Sequence, residues 1–345
     1  MNKVLFVVGL NKNGGAEKRA KYIASLIKDE FNSIIFAFAG DQDVDFAFAK
    51  TYQEYKAQSK HNRINYLANI IKQEKPDVIF SFLPHINYFT VKAIKKSHIK
   101  GIKHIIAIVH YKFKFVNKLL LRYSIARSDY IYYQCEEQKR FIKSSKPSFV
   151  LANPVNVSCF KEREMFNKFI SVGRLEDQKD YNLMIDAFSE IHKSDKKAIL
   201  DIFGNGSQKE LLIKKINNLG LSDVINIHEY TDNINKEYES HDVFLFTTKA
   251  EGFPNALAEA MANSLICFTT HFQTGCDELI TNEVTGYICN NRDPKKYADL
   301  VNDKLGDPIK LRQIAKNGYD HTREVCSATT FSQNIKSIIE NMITK

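Results

Sequence analysis

Long apolar runs are missing from this chain of 345 residues. Its longest, Val4 to Leu10 and Ile105 to Val109, fall far short of the roughly 20 residues that a membrane-crossing helix needs, so no such helix is expected. The start, MNKVLFVVGLNKNGG, lacks the small-residue cleavage site of a signal peptide and reads as a buried first strand, and a cytoplasmic location is expected. Paired cysteines are also missing. The six present (Cys135, Cys159, Cys267, Cys276, Cys289, Cys326) form no CxxC and have no histidine at zinc-finger spacing, so they are expected as reduced thiols rather than disulfides or a metal cage. There is no repeat of fixed period, no low-complexity tract and no helix-turn-helix, zinc-finger or RNP signature, so nucleic acid is not an expected partner.

What is present is core-forming material. Apolar residues make up 44% of the chain, enough for two ordinary domains. Charge is unevenly spread. Residues 1 to 165 hold 28 Lys plus Arg against 14 Asp plus Glu, while the remainder holds 21 against 26. A basic half beside an acidic one points to an anionic surface or ligand, of which membrane phospholipid, a lipid-diphosphate acceptor and nucleic acid are the candidates.

Short β-branched or aromatic runs alternate with amphipathic stretches. Lys3 to Val8, Ser33 to Phe38, Asp77 to Phe82, His104 to Val109 and Tyr130 to Tyr133 read as strands. The pattern breaks between about Asn153 and Asn167, at Asn153-Pro154 and a charged KERE stretch. It resumes at Lys168 to Val172, Ile199 to Phe203, Val224 to Ile227, Val243 to Thr247 and Leu265 to Thr269, and a helix pattern follows over Ala328 to Thr344. This is βαβ punctuation, which predicts an α/β chain of two parallel-sheet, Rossmann-like domains whose ligands gather beyond the carboxyl ends of the strands, in a cleft where the domains face each other.

Three motifs follow strands. In GLNKNGGAEKRA, Gly9 to Ala20, Gly14 and Gly15 would let backbone N–H groups approach a phosphate at a helix start. The alternative is a tight turn with no ligand, because the spacing is neither GxGxxG nor a Walker P-loop. In FISVGRLEDQKDYNLMIDAF, Phe169 to Phe188, a strand ends at Gly173 and a helix begins near Asp180, leaving Arg174 and Lys179 in the loop. Arg can pair with two phosphate oxygens and Lys supplies a point charge, so the two suit a diphosphate; otherwise the loop is simply solvated. In KAEGFPNALAEAMANS, Lys249 to Ser264, Glu251 and Glu259 flank a Gly-Phe-Pro turn that opens a helix. Pro254 fits the first helical turn, the amides of Asn255, Ala256 and Leu257 are expected to be unpaired, and each carboxylate can accept two sugar hydroxyls.

Together these segments resemble the large family-4 (group 1) set of retaining glycosyltransferases with the GT-B fold. The resemblance rests on GGAEK, GRLEDQK, IFGNGSQKELL at Ile202 to Leu212, EGFPNALAEAMA and TTHFQTGCDELI at Thr269 to Ile280. It implies an acceptor domain over 1–164, a nucleotide-sugar donor domain over 165–326, and a final helix over 327–345 that crosses back to the first domain. It also implies that Arg174 and Lys179 clamp the diphosphate, Glu251 touches the sugar, Glu259 holds the ribose, and Gly14 and Gly15 close over the donor. Phe253, Pro254, Asn255, Ala256 and Leu257 would line the donor, Gly204 and Gly206 would allow close approach near the nucleotide, and His110 would stand beside donor sugar and acceptor. The expected donor is a UDP-sugar and the expected acceptor a glycan or lipid-linked glycan in surface-polysaccharide assembly, with no cofactor and no metal. Two places depart from the family pattern: Asn263-Ser264, where a small residue followed by Gly is common, and Thr274-Gly275-Cys276, where Gly-Pro or Gly-Gly often follows.

Asp41-Gln42-Asp43 has the DxD form of metal-dependent sugar transferases but lies outside the matching segments and is read as a solvated loop. Tyr111 to Arg127 interleaves five cations with apolar residues, as an amphipathic helix on an anionic membrane surface would, here the inner face of the cytoplasmic membrane; the alternative is a core-packing helix with a wet basic edge. Other readings of the whole chain are a nucleotide-sugar epimerase or hydrolase of the same shape, and an inactive donor-binding protein.

Overall fold

The structure, a computed structural model, describes residues 1–9, 15–38, 49–54, 60–109, 113–231 and 233–344. Contacts divide the chain into two units, Met1–Asn153 with Ala328–Lys345, and Pro154–Ser327.

The first unit runs β1 (Lys3–Gly9), α1 (Gly15–Ile27), β2 (Asn32–Phe38), β3 (Lys50–Glu54), α2 (Lys60–Glu74), β4 (Val78–Phe82), α3 (Pro84–Ser97), β5 (Lys103–Ala107), α4 (Phe115–Ile125), β6 (Tyr130–Tyr133), α5 (Glu136–Phe141) and β7 (Ser148–Val150). Its strands pair in parallel in the order β3-β2-β1-β4-β5-β6-β7. β4 is buried at every position. This is what its unbroken VIFSF run requires, because a parallel strand is covered on both faces.

The second unit runs β8 (Lys168–Val172), α6 (Tyr181–Ser194), β9 (Ile199–Phe203), α7 (Lys209–Asn218), β10 (Ile225–His228), α8 (Ile234–Ser240), β11 (Val243–Phe246), α9 (Asn255–Ala262), β12 (Ile266–Thr270), α10 (Cys276–Leu279), β13 (Tyr287–Cys289), α11 (Pro294–Leu305) and α12 (Pro308–Cys326). Its sheet is parallel in the order β10-β9-β8-β11-β12-β13. Both α11 and α12 start on an Asp-Pro pair. Asp293 accepts from the Lys296 amide and Asp307 from the Lys310 amide, each at 3.0 Å, while the proline occupies the position that needs no N–H.

The last helix, α13 (Ala328–Thr344), belongs to the first unit. Its Phe331, Ile335, Ile339 and Met342 recur at helical spacing and join a core with Phe6, Ile23 and Phe80.

The domain boundary differs from the sequence reading: it falls after Asn153, not after residue 164. The charged stretch read as a break is a built part of the second unit. Arg163 is buried, and its guanidinium donates to the carbonyls of Tyr238 (3.2 Å), Glu239 (2.7 Å) and Asn263 (3.1 Å). Those carbonyls close α8 and follow α9, where helix ends leave acceptors unpaired. The Lys161 amide donates to Ser264 Oγ at 3.0 Å, and Tyr319 donates to the Ser158 carbonyl at 2.8 Å. Burial pulls Arg163 below the usual guanidinium range, against the opposing pull of Asp242 and Glu239.

All six cysteines are free thiols, and only Cys159 is exposed. Among the described residues no helix is long and apolar enough to cross a membrane.

Candidate active site

In the second sheet the chain reverses direction of winding between β8 and β11, which makes the carboxyl ends of these two strands a topological switch point. Such a switch point is where open α/β sheets take ligands. The loop after β8 carries Arg174 and Lys179; the loop after β11 carries Glu251.

The two loops are tied together. Lys179 and Glu251 form an ion pair, Nζ to Oε1 at 2.7 Å, with both side chains largely buried. Thr248 Oγ1 donates to the same carboxylate oxygen at 2.7 Å, and the Lys179 ammonium stands 4.9 Å from the centre of the Phe246 ring. Among the described residues Glu251 Oε2 accepts no hydrogen bond, so it keeps its capacity for a ligand hydroxyl. Thr247 Oγ1 donates to the Lys179 carbonyl (3.1 Å) and the Asp180 carbonyl (3.0 Å), and the Lys249 amide donates to the Gln178 carbonyl (2.8 Å). Arg174 is exposed, and its guanidinium makes no hydrogen bond or ion pair with a described residue. A free guanidinium beside a held ammonium is a ready anion site.

Arg292, which the sequence reading did not single out, holds this arrangement from behind. It donates to Asp180 Oδ2 (2.5 Å), the Thr247 carbonyl (2.6 Å), the Thr248 carbonyl (3.0 Å) and Thr270 Oγ1 (3.1 Å). Asp180 sits at φ +52°, a left-handed conformation that costs a non-glycine residue about 1 kcal/mol, and the Arg292 contact helps fix it there. The available signal was position: Arg292 follows the short strand β13.

Glu259 lies half-buried on α9, and Tyr238 donates to its Oε2 at 3.4 Å. The turn before α9 corrects two expectations. Pro254 precedes the helix rather than occupying its first position, because its ψ of 71° is not helical. The amides expected to be unpaired are partly used: Asn255 donates to the Phe253 carbonyl (3.0 Å) and Leu257 to the Pro254 carbonyl (3.1 Å), since the first turn tightens. Ala256 is the one of the three whose N–H is without a described partner. Phe253, Pro254 and Leu257 bury their side chains, while Asn255 is exposed.

The glycines at 204 and 206 do allow a close approach, but to protein backbone. A Cβ on Gly204 would lie 1.9 Å from the Gly173 carbonyl oxygen, and one on Gly206 would lie 2.3 Å from that of Leu175. They seat the end of β9 against the Arg174 loop, which is hydrogen-bonded there through the Leu175 amide and the Asn205 carbonyl at 2.9 Å.

Both departures from the family pattern fall where glycine is conformationally natural. Ser264 has φ +65° and Thr274 has φ +71°, and both are buried. Each finds a hydrogen bond: Ser264 Oγ accepts from the Lys161 amide, and Thr274 Oγ1 donates to the Glu251 carbonyl. Next to it, Gly275 at φ +84° lies so near Pro254 that a Cβ would be 2.7 Å from the proline Cδ. The 274–275 turn therefore buttresses the Glu251–Pro254 loop.

A second polar cluster lies at the β9–β10 edge. Asp201 bonds His228 Nε2 (2.6 Å), His241 Nε2 (2.9 Å) and Asn226 Nδ2 (3.0 Å). Burial alone would raise this carboxyl, but the three hydrogen bonds outweigh it and hold the pKa at about 2. Gly15 opens α1. Gly14, His110 and Asp41-Gln42-Asp43 lie outside the described residues.

With this geometry in view, the comparison with known proteins is direct. Residues 159–321 match the model of glycosyl transferases group 1. That stretch belongs to this family. The group 1 stretch contains Arg174, Lys179, Glu251, Glu259 and Arg292, and it lies wholly within the second unit. The chain is 29% identical over 151 residues to the amylovoran biosynthesis glycosyltransferase AmsD of Erwinia amylovora, covering 44% of this chain and 41% of that protein. It is 25% identical over 176 residues to the poly(glycerol-phosphate) alpha-glucosyltransferase of Bacillus subtilis, covering 51% and 26%. It is 27% identical over 213 residues to the N-acetylgalactosamine-N,N'-diacetylbacillosaminyl-diphospho-undecaprenol 4-alpha-N-acetylgalactosaminyltransferase of Campylobacter jejuni, covering 59% and 57%. The matches thus span less than two thirds of each of these relatives. Among solved structures, Anabaena Alr3699/HepE in complex with UDP aligns at a TM-score of 0.84 and 16% identity, covering 98% of this chain and 100% of that one; the same protein with UDP-glucose aligns at 0.83 and 17%, covering 98% and 99%. The chain has the GT-B fold of these structures.

Proposed function

We propose that this chain is a retaining glycosyltransferase that moves a hexose or N-acetylhexosamine from a UDP-sugar to a glycan or lipid-linked acceptor in cell-surface polysaccharide assembly, working peripherally at the inner face of the cytoplasmic membrane. The observation that carries the reading is the Lys179–Glu251–Thr248 cluster at the switch point beside an unpaired Arg174. The solved structures with UDP and UDP-glucose support the choice of nucleotide, and the relatives named for amylovoran, poly(glycerol-phosphate) and diphospho-undecaprenol substrates support the class of acceptor.

In this reading negative charge develops on the departing diphosphate. Arg174, Lys179 and the Ala256 amide meet it, so the reaction runs without a metal. Preorganised donors of this kind are commonly worth about 3 kcal/mol each in the transition state. Glu251 Oε2 accepts a sugar hydroxyl and Glu259 the ribose. The acceptor hydroxyl attacks C1 on the face from which the diphosphate leaves; the C1–O bond to phosphate breaks, the acceptor proton passes to the departing phosphate oxygen, UDP is released and the anomeric configuration is retained.

A thermal-shift titration with UDP, GDP, ADP and their sugars, in the presence of a chelator, tests this. At about 100 times its dissociation constant a ligand adds roughly 2.7 kcal/mol to folding stability. A UDP-selective shift that Arg174→Ala and Glu259→Ala both weaken is expected; a folded protein that shifts with none of the nucleotides overturns the reading.

A further inference from the structure

The first unit contains a pocket of about 1030 Å³ between α4 and the segment that runs from the end of α5 to Lys146. Its floor is apolar, formed by Phe113, Leu121, Ile125 and Ile142, which pack with the core under β5 and β6. Its walls carry five cations: Lys118 and Arg122 from α4, and Arg140, Lys143 and Lys146 from the opposite side. No acidic residue lines it, and none of the five makes an ion pair with a described residue. Five like charges around one cavity repel one another unless an anion joins them. The far wall is fixed rather than loose: Tyr133 donates to the Ile142 carbonyl at 2.7 Å, and the Ile131 amide to the Pro147 carbonyl at 3.0 Å.

The rim adds a second, independent feature. α4 turns Leu121 and Ser124 inward but leaves Phe115, Val116 and Leu119 at 76%, 64% and 49% exposure. Lys118 and Arg122 share a helical face with Phe115 and Leu119, at spacings of three and four residues. Of the two readings of this segment, a helix packed with only a basic edge in water does not account for three exposed apolar residues in its first two turns. Apolar side chains that project beside a cluster of cations match the interface of an anionic bilayer, with charge at headgroup depth and apolar tips below it.

We propose that this pocket binds the phosphate headgroup of an anionic membrane phospholipid, while Phe115, Val116 and Leu119 enter the acyl boundary. The proposal rests on, and deepens, the membrane part of the function above: it names the site and adds a wall, Arg140 to Lys146, that the amphipathic pattern of α4 does not include.

Flotation of the full chain with phosphatidylcholine vesicles, with or without phosphatidylglycerol, tests it. Binding is expected only with phosphatidylglycerol. At about 1 kcal/mol per cation, the combined variant Arg140→Ala, Lys143→Ala, Lys146→Ala should weaken partition about 100-fold. Removing the same charge from the end of α3 and the turn after it, in Lys95→Ala, Lys96→Ala, Lys100→Ala, should change it much less. Phe115→Ser with Leu119→Ser should weaken binding at every salt concentration. Equal binding to both vesicles, equal loss in the two charge variants, or binding only to phosphatidylcholine vesicles that carry a polyprenyl diphosphate would each overturn the proposal. An unchanged UDP-dependent thermal shift in every variant shows that the fold and donor site are intact, so failure here is distinct from failure of the transferase reading.

Discussion

The switch-point site of the second unit and the α4 pocket of the first use their cations in opposite ways. In the second, Lys179, Arg163 and Arg292 are each consumed in holding backbone or carboxylate, and the exposed Arg174 stands out against them. In the first, the five cations around the α4 pocket have no described carboxylate partner. The same residue types therefore mean different things. Paired cations fix a site whose shape must not vary, whereas unpaired ones store electrostatic potential for a partner that arrives from outside.

The largest effect that would sharpen this contrast lies at the switch point. Lys179→Ala removes both a phosphate donor and the counter-charge of Glu251, and should lower transfer by roughly 100-fold or more in a radiolabelled-sugar assay. Arg292→Ala should give a smaller loss, expressed in KM as well as kcat, because the Arg292 guanidinium is spent on hydrogen bonds to the loops themselves. If Arg292→Ala were as damaging as Lys179→Ala, the division between contact and support would be broken.

Next comes Arg163→Ala. It strips three carbonyls of a buried cation and should cost the second unit about 3 kcal/mol in denaturant unfolding. Hydrogen exchange in the first sheet should be unaltered. An equal loss in both units would contradict the placement of residues 154–167 with the second.

The first unit has its own signature in pH. Burial pushes His104 down from an ordinary 6.5 to about 3. Ser81 Oγ is within 2.8 Å of both Asn87 Oδ1 and His104 Nε2, and His104 Nδ1 is buried without a partner among the described residues. The folded ring stays neutral while the unfolded ring protonates, so the stability contribution is intact above about pH 6.5 and falls at about 1.4 kcal/mol per pH unit below it, until pH 3. At pH 5 the loss is about 2 kcal/mol. Burial and nearby Arg63 shift His85 in the same direction, so His104→Gln should reduce the slope without abolishing it. Asp201 in the second unit, held at about 2, loses its contribution only below about pH 4, so between pH 6.5 and 4.5 exchange should quicken in the first sheet ahead of the second.

The smallest effect concerns two buried left-handed residues, Ser264 and Thr274. Ser264→Gly relieves about 1 kcal/mol of backbone strain but loses the acceptor for the Lys161 amide and adds chain entropy, so stability should move by less than about 1 kcal/mol. Thr274→Gly frees the Glu251 carbonyl as well, and should raise the apparent dissociation constant for the sugar nucleotide more than that for the bare nucleotide.

The ten strands read from the sequence are all present within about two residues of their expected ends. The three that were missed, β3, β7 and β13, share a cause: all are sheet edges, and β7 and β13 are only three residues long. An edge strand is partly solvated and needs no apolar run, as Lys50-Thr-Tyr-Gln-Glu shows. The candidate site was legible where charge follows a strand end, in that Lys179 and Glu251 of the two loops meet and Arg174 stands exposed in the first of them. Arg292 was not, because it follows one of the missed edges. The boundary at Asn153 was hidden because a buried arginine in a KERE stretch looks the same in sequence as a solvated one. Gly204 and Gly206 were read as close-approach positions near a nucleotide, whereas the neighbour each meets in the structure is the Gly173–Leu175 backbone, which a GxG pattern alone does not reveal.

Hydrogen exchange of the full chain with and without UDP tests the central claim most directly. Slowed exchange confined to residues 173–180 and 248–259, lost in Glu259→Ala, is the predicted result. Protection that appears only in the first unit, or saturable UDP binding with no protection of either loop, would contradict a donor site at the β8–β11 switch point.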